Sequence, residues 1–210
     1  MPNWCNNNIT ITGPKKIIDK IEKITKKDKP GLLNYFHPMP KGLRDTTADG
    51  SNDKAMIKKY GHSDWYSWAV DNWSTKWDVC EFHGVERRNY DVPTISVISF
   101  GFDSAWAPPI GAYQKFLDEN PNVNIRTTYY EGGCDFMGIW DNGDDICYEI
   151  SSIAPKGSTD KFWTSAEGKE LDDLYGITES MAEYEAQQEE EKEDVHEYTK
   201  GQAMNMVKDL

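Results

Sequence analysis

The feature that most constrains the fold is a change of hydrophobic period at Pro14. Before it, "NNITITG" (residues 7–13) alternates polar and apolar residues, which is typical of a half-buried strand. After it, "KKIIDKIEKITKK" places Ile17, Ile21 and Ile24 along one stripe of an amphipathic helix. Proline suits the first helical position, because the N–H that it lacks would have no partner there. These residues predict a strand followed directly by a helix.

The strand and helix patterns return further along the chain. "WDVCEFHGVE" (77–86) and "PTISVISFGF" (93–102) predict two strands joined by the turn "RRNYD". "WAPPIGAYQKFLDEN" (106–120) predicts a second helix, and "VNIRTTYY" (123–130) predicts another strand. "DFMGIW" and "DICYEI" then predict a hairpin about the turn "DNGD", since Asn-Gly tolerates positive φ.

This element order defines the expected fold class. Two interleaved β-α-β units form the split βαβ, or ferredoxin-like, arrangement, in which two helices cover one face of an antiparallel sheet. We therefore expect an α+β protein. Residues 1–155 would form a ferredoxin-like domain with a helical insert at 31–78 and an added C-terminal β-hairpin. Residues 156–210 would form an acidic segment that is largely helical or partly disordered.

The insert carries both loop and helix signals. Residues 28–53 are rich in Gly, Pro, Asn and Asp, and the prolines of "FHPMPKGL" remove donors and restrict their predecessors, so we expect a long ordered loop. "DKAMIKKYG" and "SDWYSWAVDNW" predict two short helices, the second capped by Ser63. Trp65, Trp68 and Ala69 share one face of that second helix.

Charge is unevenly distributed along the chain. Lys and Arg number 23, Asp and Glu number 36, and the net charge is −13. Residues 157–210 hold fifteen of the acids and five lysines. Affinity for a phosphate backbone comes mainly from Lys and Arg, so this composition argues against a nucleic-acid partner.

Cysteine usage and hydropathy bear on the cellular setting. The four cysteines show no paired CxxC spacing, and no charged leader with an apolar run opens the sequence, so we expect a reduced, cytosolic setting. The apolar stretches are far shorter than the roughly 20 residues that span a bilayer, so we expect no membrane span.

The sequence contains few signals for catalysis. It has no Walker loop, no GxSxG elbow, no Rossmann glycine pattern and no HExxH. Cys80 and His83 have C-x-x-H spacing, but a structural zinc site needs a second such pair. The acids around the last hairpin, Asp135 among them, could converge on a cation or could serve only the turn. We expect no metal, no cofactor and no catalytic residue, and the question of an enzyme stays open.

Four stretches carry a family resemblance: "MPNWCNNNITITGP", "WYSWAVDNWSTKWD", "FGFDSAWAPP" and "YYEGGCDFMGIW". Together they resemble the Api92-like family of bacteriophage and plasmid proteins. The resemblance implies a ferredoxin-like domain and an accessory protein of a phage or mobile element in a bacterial cytoplasm, and it brings no catalytic residues. In the family motif a glycine usually stands where this chain has Ser74, so the backbone there is expected to be less free.

The tryptophans of these motifs are the main candidates for a site, because Trp fills cores and also dominates binding hot spots. The segment that leads out of the helical insert should meet the end of the 93–102 strand, with Trp4 beside it. The resulting aromatic hollow is either a plug that closes the sheet or a ligand pocket. The candidate binding residues are Trp4, Asn72, Trp73, Lys76, Trp77, Asp78, Trp106, Glu131 and Asp135.

Two functions fit this sequence. The first is a non-enzymatic accessory protein that binds and modulates a host bacterial protein through the aromatic cluster, the acidic tail or both. The alternative is a small-molecule binding protein for a nucleotide-like anion, or a metal-dependent hydrolase, which uses the Trp-lined pocket. In that alternative Lys76 and the Gly132–Gly133 turn would bind the negatively charged group of the ligand. The sequence does not define an oligomeric state.

Overall fold

The computed structural model describes residues 3–27, 31–49, 54–79, 81–89 and 94–208, with side chains up to residue 192. The chain forms two compact units, residues 1–149 and 150–210. The sequence pattern placed the corresponding boundary between residues 155 and 156. Each unit is described by itself below.

The first unit is built on an open, antiparallel sheet. Its strands are β1 (Trp4–Pro14), β2 (His83–Asn89), β3 (Ile95–Ala105), β4 (Asn124–Glu131), β5 (Phe136–Asp141) and β6 (Asp144–Glu149). The strand order is β2-β3-β1-β4-β5-β6, and every neighbouring pair is antiparallel. The predicted α+β class is confirmed.

Six helices are described in the first unit. They are α1 (Lys15–Thr25), α2 (Leu32–Phe36), α3 (Lys41–Arg44), α4 (Lys54–Tyr60), α5 (Trp65–Trp73) and α6 (Ile110–Glu119). Helix α1 contacts β1 and β3, and α6 contacts β4. Helices α2 and α5 both contact α6 and extend the core beyond the sheet.

Alternation along β1 decides which side of the sheet is buried. Cys5, Asn7, Ile9 and Ile11 are buried, whereas the residues between them are more exposed. Helix α1 covers this face with Ile18, Ile21 and Ile24. Ile17 of the predicted stripe is only partly buried, and its neighbour Ile18 is buried with Ile21 and Ile24 instead.

The last hairpin forms as its turn residues predict. Asn142 has φ of 51° and Gly143 has φ of 110°, so both central residues are left-handed, as a two-residue hairpin turn requires. The Asn142 amide oxygen also accepts the Ile125 N–H at 2.9 Å, which ties the turn to β4.

Part of the predicted loop at 28–53 is helical instead. Gly31, at φ of 65°, precedes α2, and the two oxygens of Asp78 accept the N–H groups of Leu33 at 2.8 Å and Asn34 at 2.9 Å. Leu33 is completely buried, and Phe36 stacks on Phe116 of α6 with ring centroids 4.4 Å apart. The local pattern missed α2 because its capping carboxylate comes from a distant part of the chain.

The strand predicted from residue 77 begins only at His83. Trp77 and Asp78 lie in the connection after α5, because Asp78 is held against α2 and cannot join the ladder. The cap of α5 is Asp64, which accepts the Ser67 N–H, and not the predicted Ser63. Cys80 and part of the predicted "RRNYD" turn lie outside the described residues.

The second unit is helical in its described part. It contains α7 (Ile150–Ile153), α8 (Ala166–Tyr175) and α9 (Ile177–Lys208), with short 3-10 turns at Gly157–Thr159 and Lys161–Thr164. Ser165 caps α8, and Glu185 of α9 accepts hydrogen bonds from the Ser158 N–H and hydroxyl. Among the residues that the structure describes, no helix combines the length and the apolar character needed to span a membrane.

Candidate functional site

Helix α5 and the residues that follow it, which include "DNWSTKWD" (71–78), divide into a core part and a surface part. Trp68 and Trp73 are each only 5% exposed, and their rings meet edge to face with centroids 5.4 Å apart. The Trp73 indole N–H donates to the His37 carbonyl at 2.8 Å. These two tryptophans belong to the hydrophobic core, because their rings are buried and the polar atom of Trp73 is satisfied.

A tight turn after α5 directs the rest of the segment to the surface. Ser74 has φ of 66°, and its hydroxyl accepts the Gly111 N–H at 3.1 Å. A side chain at Gly111 has no room, since its Cβ would lie 2.7 Å from the Asn72 carbonyl oxygen. The Thr75 hydroxyl donates to the Ala105 carbonyl at 2.7 Å. The chain therefore passes beside the end of β3, where Trp4 lies.

Trp4 and Trp77 line an open cleft of about 380 Å³, here called the acidic cleft. Trp4 is 48% exposed and Trp77 is 37% exposed, with ring centroids 6.3 Å apart and planes tilted by 40°. The residues that line the cleft are Trp4, Trp77, Asp78, Glu81, His83, Asp103, Ser104 and Ala105.

Strand register brings the side chains of the acidic cleft together. Trp4 pairs with Ala105 and Asn6 pairs with Asp103, so Trp4 and Asp103 project from the same face of the sheet. The Asn6 amide donates to Asp103 at 2.6 Å and fixes its carboxylate. The His83 ring lies over Gly101, where any Cβ would come within 2.1 Å of the imidazole. A side chain at Gly101 would therefore displace the His83 ring from its present position.

Asp78 has a structural role at the border of the acidic cleft. Besides the two N–H groups of α2, its carboxylate accepts the Val79 N–H at 2.8 Å. Burial raises the pKa of the Asp78 carboxyl above its usual value, although the backbone donors oppose this shift. The carboxylate of Asp78 is therefore committed to the fold, which leaves Glu81 and Asp103 as the acids that face the cleft.

Trp77 also lines a second, shallower groove of about 360 Å³. That groove is lined by Gly31, Asn34, Met39, Arg44, Trp65, Trp73, Lys76, Trp77 and Asp78. The Lys76 ammonium lies 4.3 Å from the Trp77 ring centroid and 5.6 Å from that of Tyr66, which is cation–π geometry. Within the described ranges Lys76 makes no ion pair, although Asp78 lines the same groove.

The other predicted site residues lie elsewhere. The Asn72 amide donates to the Trp68 carbonyl within α5. Trp106 is 47% exposed with φ of 72°, and it borders neither groove in the described part of the chain. Glu131 is buried and Asp135 follows it at a 3-10 turn with φ of 59°. The structure thus brings Trp4, Trp77 and Asp78 together, places Trp73 and Lys76 in the neighbouring groove, and leaves four candidates outside both.

The "EGGCDF" turn is unsuited to holding an anion. Its Gly133 N–H already donates to the Glu131 carboxylate at 3.1 Å. The Glu131 carboxylate also raises the pKa of the neighbouring Cys134 thiol, which disfavours the nucleophilic thiolate. The negative charge of this turn opposes the role that the sequence gave it in the hydrolase alternative.

Two acids of the last hairpin, Asp141 and Asp145, contact different residues. Asp145 accepts the Tyr129 hydroxyl at 2.7 Å, and Asp141 lies 4.0 Å from Arg126. Among the described residues, no group of three His, Cys, Asp or Glu side chains converges in a way that could hold a metal ion.

The candidate binding residues predicted from the sequence do not include Glu81 and His83, which both line the acidic cleft. Both fall within the predicted strand 77–86, which implies no cleft, whereas in the structure Glu81 precedes β2 and His83 is its first residue. The available signal was the density of charged and aromatic residues between 77 and 83, which exceeds what a strand needs.

The fold and the site together define an α+β protein with a solvent-open, acidic aromatic cleft at one end of its sheet. No family model matches the chain, and no curated protein matches it. One solved structure is similar: a protein api92 from Yersinia pseudotuberculosis, assigned in its description to DUF1281. It is 11% identical, the match covers 71% of this chain and 98% of that one, and the TM-score is 0.37.

Proposed function

We propose that this chain is a non-enzymatic binding protein that holds a partner protein at the acidic cleft. The observation that carries the proposal is the pair of neighbouring, exposed indoles of Trp4 and Trp77 at a concave surface. Exposed tryptophan is costly in water and is enriched at the centres of protein interfaces.

The alternative role of a plug for the sheet fits these two residues poorly. A plug needs buried rings, and that role is filled by Trp68 and Trp73 in the core. Trp4 and Trp77 each keep more than a third of their surface exposed, so their rings contribute less to folding than a fully buried ring. Binding of a partner would bury the apolar surface of these two rings that folding leaves exposed.

The finer identity of the protein is part of the same proposal. The motif resemblance supports an Api92-like accessory protein of a phage or mobile element that modulates a host bacterial protein in the cytoplasm. A ferredoxin-like core is supported by the order β2-β3-β1-β4, in which β3 lies between β1 and β2. The acidic helix α9 of the second unit is a separate candidate surface for a partner protein.

The test compares captured partners across matched variants of the tagged protein in bacterial lysate. We expect a specific protein to be captured by wild type and lost with Trp4→Ala plus Trp77→Ala. Trp106→Ala is the matched control, because Trp106 is equally exposed but outside the acidic cleft. A captured set that is unchanged in the folded double variant contradicts the proposal.

A separate variant tests the acidic helix. Glu189→Gln, Glu190→Gln and Glu191→Gln remove three exposed charges from α9 and change no residue of the acidic cleft. Loss of the same partner in this variant assigns part of the interface to α9. Retention restricts the interface to the acidic cleft.

One observation favours the small-anion alternative in the second groove. Lys76 and Arg44 lie there beside Trp65 and Trp73, which is a suitable lining for an aromatic anion. ADP is a suitable probe, and this alternative requires that ADP raise the melting temperature of wild type and not of Lys76→Ala. The groove is shallow and Lys76 is engaged by two rings, so we rank it second.

A further inference from the structure

We infer that the acidic cleft binds a cationic side chain, lysine or arginine, from a basic segment of the partner protein. This inference rests on the proposed function and specifies the chemistry of the partner. It follows from the combination of two indoles, two available carboxylates and a concave shape at one place.

The indoles supply the first half of a cation site. An ammonium or guanidinium group is attracted to the face of an aromatic ring within about 6 Å of its centroid, and tryptophan is the strongest such ring. Trp77 makes this interaction within the protein, with Lys76 at 4.3 Å. Lys76 lines the second groove and not the acidic cleft, whereas Trp77 lines both, and Trp4 adds a second indole to the cleft.

The carboxylates of the acidic cleft supply the second component of a cation-binding site. Glu81 and Asp103 both line the acidic cleft, and neither makes an ion pair with a residue that the structure describes. Asn6 holds the Asp103 carboxylate at 2.6 Å, so one acceptor is already oriented before a ligand arrives. A planar guanidinium can donate two hydrogen bonds to such a carboxylate while its face rests on an indole.

Charge decides between the possible occupants. An anion would meet Glu81 and Asp103 and be repelled, and an uncharged apolar group would desolvate these carboxylates without compensating them. A cation gains from both the carboxylates and the rings. The net charge of −13 also draws a basic segment toward the molecule over a longer range.

The first experiment uses full-length protein with 15N-labelled tryptophan and three peptide probes: hexa-arginine, hexa-lysine and hexa-glutamate. We expect the two cationic peptides to shift the indole N–H signals of Trp4 and Trp77, with the signal of the core residue Trp73 unchanged. Hexa-glutamate should shift none of them. Absence of shifts with the cationic peptides, or equal shifts with hexa-glutamate, overturns the inference.

Variants then separate the local site from the general negative field. Glu81→Gln plus Asp103→Asn should weaken hexa-arginine binding about fivefold, because two exposed ion pairs are lost. The matched control, Glu167→Gln plus Asp173→Asn, makes the same change of net charge at two exposed positions of α8 and should leave the affinity within about twofold. Equal weakening by both double variants shows a field effect only and overturns the inference.

The partner captured from lysate distinguishes the failure of this inference from the failure of the proposed function. Loss of the partner with Trp4→Ala plus Trp77→Ala, but not with Glu81→Gln plus Asp103→Asn, leaves the binding function standing and overturns the cationic ligand. If both double variants still capture the partner, both the proposed function and the cationic ligand are overturned. Loss with both pairs, together with the arginine-dependent indole shifts, supports both.

Discussion

Asp78 shows how one side chain can determine the structure on both sides of it. Its carboxylate caps α2 and keeps residues 77 and 78 out of β2, which places Trp77 beside Trp4. The capping residue and the capped helix are 44 and 45 positions apart in sequence. A local sequence pattern cannot predict a contact between residues so far apart in the chain.

Replacing Asp78 by Ala should lower the free energy of unfolding by about 1–3 kcal/mol, because buried N–H groups of α2 lose a charged acceptor. Asp78→Asn should cost less, since its amide oxygen still accepts. Urea denaturation of both variants measures the difference. Equal stability of Asp78→Ala and wild type would show that water replaces the cap.

The raised pKa of Asp78 also gives a pH dependence with a definite sign. Because the folded state disfavours the ionised carboxyl, its contribution to stability falls as the pH rises from the ordinary pKa of 3.8 through the folded value. The stability of wild type minus that of Asp78→Asn should therefore decrease with pH over this interval. A difference that rises with pH contradicts the assignment.

Ser74 offers a second test at the scale of one residue. A left-handed conformation costs a residue with a Cβ about 1 kcal/mol, whereas glycine adopts it freely. Ser74→Gly removes this cost but also the hydrogen bond to Gly111, so we expect a stability change near zero. Ser74→Ala keeps the cost and loses the bond, and should be less stable by about 1 kcal/mol in thermal unfolding.

At the scale of elements, an ion-pair network joins α1 to the edge strand β2. Arg87 of β2 pairs with Asp19 at 2.7 Å and also with Glu22, while Lys15 and Lys26 pair with the same two acids. Arg87 is the largest cause of the lowered pKa of Asp19, and Lys26 with Arg87 lowers that of Glu22. Their stabilisation is present above the ordinary pKa values and is lost as the pH falls through the lowered ones.

Removing Arg87 should therefore change acid unfolding. Arg87→Met is expected to show a smaller loss of stability between neutral and acidic pH than wild type, measured by urea denaturation at several pH values. Arg88→Met is the control, because Arg88 pairs only with the exposed Glu86 of its own strand among the residues described. An unchanged pH profile in Arg87→Met would mean that the lysines alone hold the two acids.

The elements that the sequence predicts well are those whose signals are local. The period change at Pro14 locates β1 and α1, and Asn142 with Gly143 locates the last hairpin. The start of β2 and the existence of α2 depend on a tertiary contact of Asp78, so the local pattern cannot supply them. For the same reason the sequence predicts only part of the acidic cleft: Trp4, Trp77 and Asp78 are candidate residues, whereas Glu81 falls within a predicted strand that in the structure begins only at His83.

At the scale of the whole molecule, the net charge of −13 predicts how binding responds to salt. The Debye length falls from about 10 Å at 0.1 M to about 3 Å at 1 M ionic strength, so long-range attraction of a basic peptide is screened. We expect the association rate of hexa-arginine to fall steeply over this range, with a smaller change in dissociation rate. Stopped-flow measurement of the intrinsic tryptophan fluorescence gives both rates, and a salt-independent association rate contradicts the expectation.

Trp77 lines both the acidic cleft and the second groove, and this shared position has a thermodynamic consequence. Lys76 already contacts the Trp77 indole, and a ligand in the acidic cleft would contact the same side chain. If filling the cleft changes the affinity of the second groove by some factor, linkage requires that filling the second groove change the affinity of the cleft by the same factor. Trp77 is the side chain through which such a coupling would pass.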